Sequence, residues 1–372
     1  MKSILILPIF RFGNRSNSIT IIVIEIFYRI HNLDFSFTLN VDSGTYKQVD
    51  VNHKNKLEIL NKSYAYIGPN LVKMVKGQLS TLKSAKKADY IICETEYFFS
   101  VVYSYIIHLI SGKPLIITIH QMDPDMYREN NSIHSHIYHY IFRKVNRFFI
   151  LDNDEIINEF KLNFPEVQKE GHKIFRIING VDVNSYYTSE NKKYDLIYIG
   201  TIEERKNALL LPDIVEKVKS EYNNVKMLII SHKGNIQKLK KLIVEKKLEA
   251  NVEIVNYVSE KEKRNLLATS KLLLLPSKYE GFGVPIIEAM ASSIPAILFD
   301  VPSLASFNIG VLKSQPFKIN DYANIVTDLL KNEEKRKKIG IEGRRYVKMK
   351  FDYDIASTIE NESIKMAVKD LR

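Results

Sequence analysis

The sequence has few of the residues on which several protein classes depend. Cys93 is its only cysteine, so no internal disulfide can form and a disulfide-stapled scaffold is excluded. Hydrophobic residues make up 45% and charged residues 26%, which is unlike a disordered or a collagen-like chain. No repeat and no low-complexity tract interrupts the chain. We therefore expect a globular protein in which Cys93, directly after the apolar Tyr90-Ile91-Ile92, is a buried structural residue in a reducing compartment.

Long uninterrupted hydrophobic runs are also missing. The two longest apolar stretches, 19–30 and 98–119, are broken by Glu25 and Arg29 and by Gly112-Lys113-Pro114. A membrane span needs about 20 clean apolar residues. The N-terminal apolar run is short for a signal peptide and lacks a small-residue cleavage site. We expect no transmembrane helix and a cytoplasmic location.

Acidic residues are outnumbered by basic ones. Asp and Glu total 43 against 54 Lys and Arg, which gives a formal net charge of +11. Such a charge favours an anionic partner, and nucleic acid, a membrane or a phosphorylated substrate would each qualify. Charge alone therefore names no function.

The chain reads as two α/β domains. Short β-branched runs alternate with longer helical patterns, which predicts parallel sheets with crossover helices, and 372 residues are too many for one core. Strands are predicted at 4–9, 35–41, 89–93, 115–119, 148–151 and 174–177, and again at 196–199, 225–230, 252–255, 272–275 and 296–299. We predict two doubly wound, Rossmann-like domains at 1–183 and 184–351, with a hinge after the turn signal Asn179-Gly180-Val181-Asp182. A C-terminal helix at 352–372 follows, and its return to the first domain is one possible arrangement.

One strand end carries an unusual concentration of informative residues. In open α/β sheets, ligands bind beyond the carboxyl ends of the strands, where the next helices present their N-terminal N–H groups. The segment after the strand at 272–275 reads PSKYEGFGVPIIEAMA, from Pro276 to Ala291. Gly281 and Gly283 permit close backbone approach, and Pro285 suits the start of a helix. The N–H groups around Gly283 and Val284 could therefore cradle a diphosphate.

Two carboxylates flank this cradle. Glu280 lies on the loop and Glu288 about one turn into the helix, and ionised carboxylates only accept hydrogen bonds, as hydroxyl groups require. A ligand that has hydroxyl groups on both sides of a diphosphate is a nucleotide sugar, so the arrangement suits this class of ligand. The bare pair would more often be two solvated acids, and only the glycine, proline and aromatic frame around it favours a site.

This segment resembles the donor site of retaining GT-B glycosyltransferases, specifically glycosyltransferase family four. The resemblance implies two Rossmann-like domains facing a central cleft, with the acceptor held by the first and the nucleotide sugar by the second. It implies that Glu280 binds sugar hydroxyls and acts in catalysis, and that Glu288 binds the ribose of a GDP- or UDP-linked donor. Gly281, Phe282, Gly283 and Val284 would complete this donor loop.

A second loop of the resemblance follows the strand at 196–199. There Gly200 ends the strand and Lys206 matches the lysine that relatives use at the diphosphate. Many relatives carry arginine directly after the glycine, whereas this chain has Thr201, so we expect Arg205 to supply the second positive charge. A cation there would stabilise the negative charge that develops on the leaving diphosphate. The alternative is a solvated start to the next helix.

The first domain offers weaker candidates. The resemblance places an active-site histidine at the end of the strand at 115–119, where this chain has His120, although Gln121 replaces the usual aspartate and an ordinary polar cap remains the alternative. Gly13 and Arg15 stand where relatives contact phosphate or acceptor, and a plain polar turn is equally compatible with them. No dedicated base or nucleophile is evident. The resemblance implies a reaction on one sugar face, in which the departing phosphate helps to deprotonate the acceptor.

We expect no metal and no cofactor, because the nucleotide sugar is itself a substrate. His134, His136 and His139 cluster on one segment, but no carboxylate or thiol completes a recognisable site. Asp123-Pro124-Asp125 has the spacing of a metal-binding element, but the resemblance gives it no such role.

A lysine-rich stretch from Lys54 to Lys87 contains eight lysines and one acid, Glu58, with apolar residues between them. It could rest on an anionic membrane at the inner face or guide a lipid-linked acceptor, and a solvated helix face is equally compatible.

Two rival functions remain open. The charge suits a nucleic-acid-binding protein, although no helix-turn-helix, RRM or zinc-finger pattern is present. A GT-B protein that binds a sugar nucleotide without turnover is the other, because binding and reaction residues overlap.

Overall fold

The computed structural model of the protein describes residues 2–7, 18–31, 33–41, 57–61, 79, 81–122, 133–369 and 371. Gly13, Arg15, Asp123-Pro124-Asp125 and most of the lysine-rich stretch before residue 81 lie outside the described residues. The chain divides into two units, Met1–Gly180 with Tyr353–Arg372, and Val181–Asp352.

The elements follow one another as alternating strands and helices. The strands are β1 (Lys2–Leu7), β2 (Phe35–Val41), β3 (Glu58–Asn61), β4 (Tyr90–Cys93), β5 (Leu115–Ile119), β6 (Arg147–Leu151), β7 (Lys173–Ile177), β8 (Tyr194–Ile199), β9 (Met227–Ile230), β10 (Val252–Val255), β11 (Ser270–Leu275), β12 (Ala296–Phe299) and β13 (Val311–Ser314). The α-helices are α1 (Ser18–Ile30), α2 (Phe98–Ser111), α3 (Ile133–Lys144), α4 (Asp154–Asn163), α5 (Leu211–Glu221), α6 (Ile236–Glu245), α7 (Glu260–Ala268), α8 (Val284–Ala291), α9 (Ile319–Lys331), α10 (Glu333–Lys350) and α11 (Tyr353–Val368). A further helical segment covers 81–87.

In the first unit the described residues form a seven-stranded parallel sheet in the order β3-β2-β1-β4-β5-β6-β7. Strands β4, β5 and β6 are buried along their whole length, as apolar runs covered on both faces should be. Cys93 ends β4 and is fully buried. Helix α2 ends at Gly112, whose left-handed backbone (φ 69°) lets its N–H donate to the carbonyl of His108.

The last helix, α11, belongs to the first unit. It contacts α1 and β7, and it is fixed there by an ion pair of 2.8 Å between Arg29 and Asp354. The Ser363 hydroxyl donates a hydrogen bond of 2.9 Å to the carbonyl of Arg176 in β7. The first unit is therefore built from both ends of the chain.

In the second unit the described residues form a six-stranded parallel sheet in the order β10-β9-β8-β11-β12-β13. The chain runs outward from β8 in one direction and, starting again at β11, outward in the other. The neighbours β8 and β11 are therefore the switch point at which doubly wound sheets bind ligands beyond their carboxyl ends. The two loops singled out in the sequence follow these two strands.

The predicted α/β architecture of two doubly wound Rossmann-like units is confirmed. The sequence reading missed β3 and β13, both four residues long and both at the edge of a sheet. Strand β3 lies within the lysine-rich stretch, so a single helix face through that stretch is wrong at 58–61. None of the helices in the described part of the chain has the length and apolarity that crossing a bilayer requires.

Candidate functional site

Two loops meet at the switch point of the second sheet. The loop after β8 passes Gly200 and Thr201 and forms a short 3-10 helix at Glu204–Lys206. It touches the loop after β11 directly, because the N–H of Lys278 donates a hydrogen bond of 2.8 Å to the carbonyl of Arg205. The pairing of β8 with β11 brings together residues that lie more than seventy positions apart.

Helix α8 begins at this meeting point. Gly283 caps its N-terminus with a left-handed backbone (φ 86°), and an added Cβ would lie 2.7 Å from a side-chain carbon of Ile286. Pro285 stands in the first turn, where a missing N–H removes no intrahelical hydrogen bond. The helix start therefore turns its free N–H groups and positive dipole end toward the loops, which is an arrangement suited to an anion.

A buried ion pair joins the two loops. The Lys206 ammonium lies 2.6 Å from each oxygen of the Glu280 carboxylate, and the two residues are only 8% and 3% exposed. The Ser277 hydroxyl donates to the same carboxylate at 2.6 Å, and the Glu280 N–H donates to the Ser303 hydroxyl at 3.1 Å. The carboxylate is therefore held by groups from both loops, and Ser303 holds the backbone of the same residue.

Arg205 reinforces the positive charge at this point. Its guanidinium lies 3.7 Å from the Glu280 carboxylate, and about two thirds of its side chain is buried. Burial raises the pKa of Glu280, but the charges of Lys206 and Arg205 outweigh burial, so the pKa falls below its usual value. Glu280 is therefore ionised at neutral pH beside two cations.

Glu288 belongs to a second buried cluster one turn along α8. The Lys263 ammonium lies 2.7 Å from its carboxylate, and the Tyr186 hydroxyl donates to the same oxygen at 3.2 Å. Lys263 also pairs with Glu260 at 2.9 Å. Because burial and the nearby Glu260 both disfavour its charge, and Lys263 offsets them only in part, the pKa of Glu288 is raised. The second carboxylate oxygen of Glu288 can accept a hydrogen bond from a ligand hydroxyl.

The other predicted donor residues lie around these clusters. The hydroxyl of Thr201 is buried, and its carbonyl accepts a hydrogen bond of 2.8 Å from Tyr198. The ring of Phe282 packs edge-on against Phe307 and Phe351, with ring centroids 5.9 and 5.4 Å apart. Phe282 therefore holds the loop to the core, whereas Thr201 lies at the strand end between Gly200 and the short helix.

The first unit places His120 among carboxylates at the ends of β4 and β5. The ring atom Nε2 lies 3.1 Å from the carbonyl of Glu94 and 3.6 Å from its carboxylate, and the His120 N–H donates to the Glu96 carboxylate at 3.0 Å. Burial lowers the pKa of His120, but the negative charges of Glu94 and Glu96 outweigh it, so the pKa is raised. His120 is thus a buried group whose positive charge two carboxylates support.

A third acid faces this cluster from α11. Glu360 is buried, and burial together with the charge of Glu94 raises its pKa well above the usual value. Glu360 therefore holds its proton more tightly than an ordinary glutamate.

The sequence reading missed several of these residues. It did not single out Lys263, Tyr186 or Ser277, and it did not single out Glu94 or Glu96. For Glu94 and Glu96 a signal was available, because the pair directly follows β4, which neighbours the strand that ends at His120.

The predicted histidine cluster is dispersed into separate contacts. His139 lies 2.8 Å from the Glu166 carboxylate, and the ring of His134 lies 4.0 Å from that of Phe98. Within the residues that the structure describes, no group of three or more His, Cys, Asp or Glu is arranged to hold a metal ion.

The structure and the sequence of the chain are similar to those of known proteins. The whole structure aligns with that of HepE from Anabaena solved with UDP-glucose, with a TM-score of 0.79 over 98% of this chain and 100% of that chain at 16% identity. This is the GT-B fold expected from the sequence. Residues 186–346, which lie within the second unit, match the sequence profile of the family described as glycosyl transferases group 1.

Two curated relatives have detectable sequence similarity to the chain. A poly(ribitol-phosphate) alpha-N-acetylglucosaminyltransferase of Staphylococcus aureus is 29% identical over 53% of this chain. An uncharacterized glycosyltransferase of Methanocaldococcus jannaschii is 26% identical over 65% of it. The alignments span 42% and 65% of the lengths of these relatives.

Proposed function

We propose that the protein is a retaining glycosyltransferase, which moves a hexose from a GDP- or UDP-linked sugar to a hydroxyl group of a glycan or lipid-linked acceptor. The observation that carries the proposal is the buried pair of Lys206 with Glu280, at the switch point and next to the N-terminus of α8. The match of residues 186–346 to the profile of glycosyl transferases group 1 and a fold match to a protein solved with UDP-glucose support it.

In the proposed complex the diphosphate lies against the start of α8. Lys206 and Arg205 neutralise it together with the helix N-terminus, so the site needs no metal ion and no cofactor. Lys206 must then exchange part of its contact with Glu280 for a phosphate oxygen. The freed carboxylate oxygen accepts hydrogen bonds from hydroxyls of the transferred sugar.

Glu288 would bind the other end of the donor. One of its oxygens is held by Lys263 and Tyr186, and the second accepts the ribose hydroxyls. A fixed acceptor binds ribose more strongly than a mobile one because less rotational freedom is lost on binding.

Retention is proposed from the resemblance of the loops after β8 and β11 to those of retaining glycosyltransferases. In the proposed step the bond between the anomeric carbon and the diphosphate oxygen breaks, and the acceptor oxygen bonds to the same face. The proton of the acceptor passes to the departing diphosphate, whose developing charge Lys206 and Arg205 stabilise. His120 is proposed to contact the reacting sugar, with Glu94 supporting its charge.

The acceptor is proposed only as a class of molecule. A relative is described as acting on poly(ribitol-phosphate), which supports a polymeric hydroxyl acceptor for this chain. A cytoplasmic location and a contact between the stretch Lys54 to Lys87 and an anionic membrane stay predictions.

A donor-dependent thermal shift tests the binding part of the proposal. UDP or GDP at a hundred times its dissociation constant should stabilise the protein by about 2.7 kcal/mol. Lys206→Met and Glu288→Gln should lose most of this shift, whereas Glu221→Gln on the surface of the same unit should keep it. If neither nucleotide shifts the wild type, the proposal is wrong.

Turnover distinguishes an enzyme from a binding protein. Incubation with GDP- and UDP-sugars should release the nucleoside diphosphate, and the product anomer should match that of the donor. Binding without release over long incubation, with any acceptor offered, would favour the non-catalytic alternative.

The structure gives little support to the alternative that the protein binds nucleic acid. Exposed lysines of the second unit pair with acids, as in Lys335 with Asp328 at 2.8 Å and Lys337 with Glu190 at 3.1 Å. These pairs reduce the positive potential available to a phosphate backbone. A salt-sensitive stabilisation by DNA, with none by UDP or GDP, would reverse this conclusion.

A further inference from the structure

Helix α2 presents an unusual surface to solvent. Its sequence, FFSVVYSYIIHLIS, contains no Asp, Glu, Lys or Arg. Four large apolar side chains on it are about half exposed or more: Phe99 (52%), Ile106 (47%), Leu109 (61%) and Ile110 (55%). Their spacing of three, four and seven places them on one face of the helix. A helix that covers a sheet normally turns polar residues outward, so this face departs from the expected pattern.

Helix α3 extends the same surface. It packs beside α2 through Phe98 with His134, at 4.0 Å between ring centroids, and through Tyr105 with Tyr140, at 6.1 Å. Ile133 and Tyr140 are 73% and 55% exposed on it. The exposed apolar residues of α2 and α3 together are called the α2–α3 surface below.

The charged residues of these two helices all have one sign. Neither helix contains an acidic residue, and Arg143 and Lys144 are exposed at the end of α3. Because the contacts Phe98–His134 and Tyr105–Tyr140 show that the helices run in the same direction, Lys113, just beyond α2, lies toward the same end. The surface is therefore apolar and aromatic, with cations at one end.

This composition fits a particular partner. A single exposed apolar residue, such as Leu162 in α4, needs no explanation, but a contiguous group marks an interaction site. Apolar and aromatic side chains bordered by Lys and Arg suit the interface of an anionic bilayer, where each basic residue strengthens binding about fivefold. A protein partner of ordinary composition would more often be met by charges of both signs.

We propose that the α2–α3 surface docks on an anionic lipid bilayer, with its apolar residues in the headgroup region and Lys113, Arg143 and Lys144 against lipid phosphates. The site differs from the lysine-rich stretch that the sequence suggested. The proposal does not depend on the transferase activity, because docking requires neither donor nor acceptor.

The sequence provides a clean spectroscopic test because it contains no tryptophan. Phe99→Trp places a single indole in the α2–α3 surface, and Leu162→Trp places one at an exposed position on another helix of the same unit. With vesicles of phosphatidylglycerol and phosphatidylcholine in equal parts, only Phe99→Trp should shift its emission to the blue and be quenched by brominated lipid chains. Vesicles of phosphatidylcholine alone should give a much smaller effect. The absence of a shift, or equal shifts for both probes, would overturn the proposal.

Vesicle sedimentation gives an independent measurement. Ile106→Glu should weaken binding to the anionic vesicles at least tenfold, whereas Leu162→Glu should leave it unchanged, with circular dichroism confirming that both variants are folded. Unchanged binding of Ile106→Glu would contradict the proposal. Sedimentation equilibrium tests whether the partner is instead a second copy of the chain. If the wild type is a dimer, Ile106→Glu is a monomer and neither protein binds vesicles, then the surface is a dimer interface and the proposal is wrong.

Discussion

The pair of Lys206 with Glu280 makes a strong prediction about stability. In Glu280→Gln the ammonium stays buried and 90% of its side chain is out of solvent, but its anion is gone and the Arg205 guanidinium remains nearby. Breaking a buried pair by removing one partner costs about 3–5 kcal/mol because the remaining charge is uncompensated. Lys206 can avoid that cost by releasing its proton.

Proton release sets an upper limit on the loss of stability. The ordinary pKa of lysine is about 10.4, and each pH unit below it adds about 1.36 kcal/mol to the free energy of keeping the side chain neutral. At pH 7.5 a neutral Lys206 in the folded state therefore costs about 4 kcal/mol. Burial already lowers the pKa of Lys206 in the wild type, and Glu280 opposes that effect. Glu280→Gln should therefore lower the free energy of unfolding by about 3–4 kcal/mol at pH 7.5.

The same reasoning fixes how the loss depends on pH. In the variant the unfolded state binds one proton more than the folded state, so stability rises with pH up to the ordinary pKa of lysine. Between pH 7.5 and 9.0 the variant should recover about 2 kcal/mol relative to the wild type.

Urea unfolding followed by far-UV circular dichroism measures both quantities, since the chain lacks tryptophan. Glu221→Gln is the matched control, because Glu221 pairs with Lys331 at 2.8 Å on an exposed surface where such pairs contribute at most about 1 kcal/mol. A loss below about 1 kcal/mol for Glu280→Gln would refute the assignment of Lys206 as a buried cation, and a loss independent of pH would refute release of its proton in the variant.

Three further outcomes follow from other parts of the molecule. Burial lowers the pKa of His120, but Glu94 and Glu96 raise it by more. The stabilisation of the fold by protonated His120 is therefore complete below pH ~6.5 and is lost as the pH rises through the raised pKa. Glu94→Gln should make the free energy of unfolding, measured with urea at pH 6 and 8, less dependent on pH. Gly283 and Gly171 both have a positive φ, of 86° and 90°, but only at Gly283 would an added Cβ lie 2.7 Å from a neighbouring atom. Gly283→Ala should therefore lower the free energy of unfolding by about 1–3 kcal/mol more than Gly171→Ala. Equal losses of unfolding free energy in the two variants would contradict this. Burial raises the pKa of Cys93 to about 12, so a thiol reagent should label it only as fast as the protein unfolds, and rapid labelling of the folded protein would show otherwise.

Much of the fold could be predicted because the apolar composition of the central strands indicates that they are buried. Leu115–Ile119 is apolar except for Thr118, and β11 contains the leucine run Leu272–Leu275. Such near-continuous apolar runs are typical of parallel strands covered on both faces. The edge strands were missed for the opposite reason. Glu58–Asn61 and Val311–Ser314 are short and mix polar with apolar residues, so their pairing depends on a neighbour that local sequence does not reveal.

The candidate site was predictable in its members but not in their contacts. The glycines and carboxylates of the donor loop stand in a recognisable order, whereas the pairing of Lys206 with Glu280 follows from the neighbouring positions of β8 and β11. Lys263 was overlooked because Glu260-Lys261-Glu262-Lys263 reads as a solvated helix face. It is buried because α7 packs on α8, so that one lysine of this run faces Glu288.

The route of the chain through the first unit has a consequence during synthesis. The second unit, Val181–Asp352, is contiguous and can finish folding as soon as it leaves the ribosome. The first unit emerges earlier, yet it must wait for α11 to cover α1 and β7, and so it remains unfinished until translation has passed Val368. A premature stop codon just before Tyr353 would therefore damage the part made first and spare the part made last.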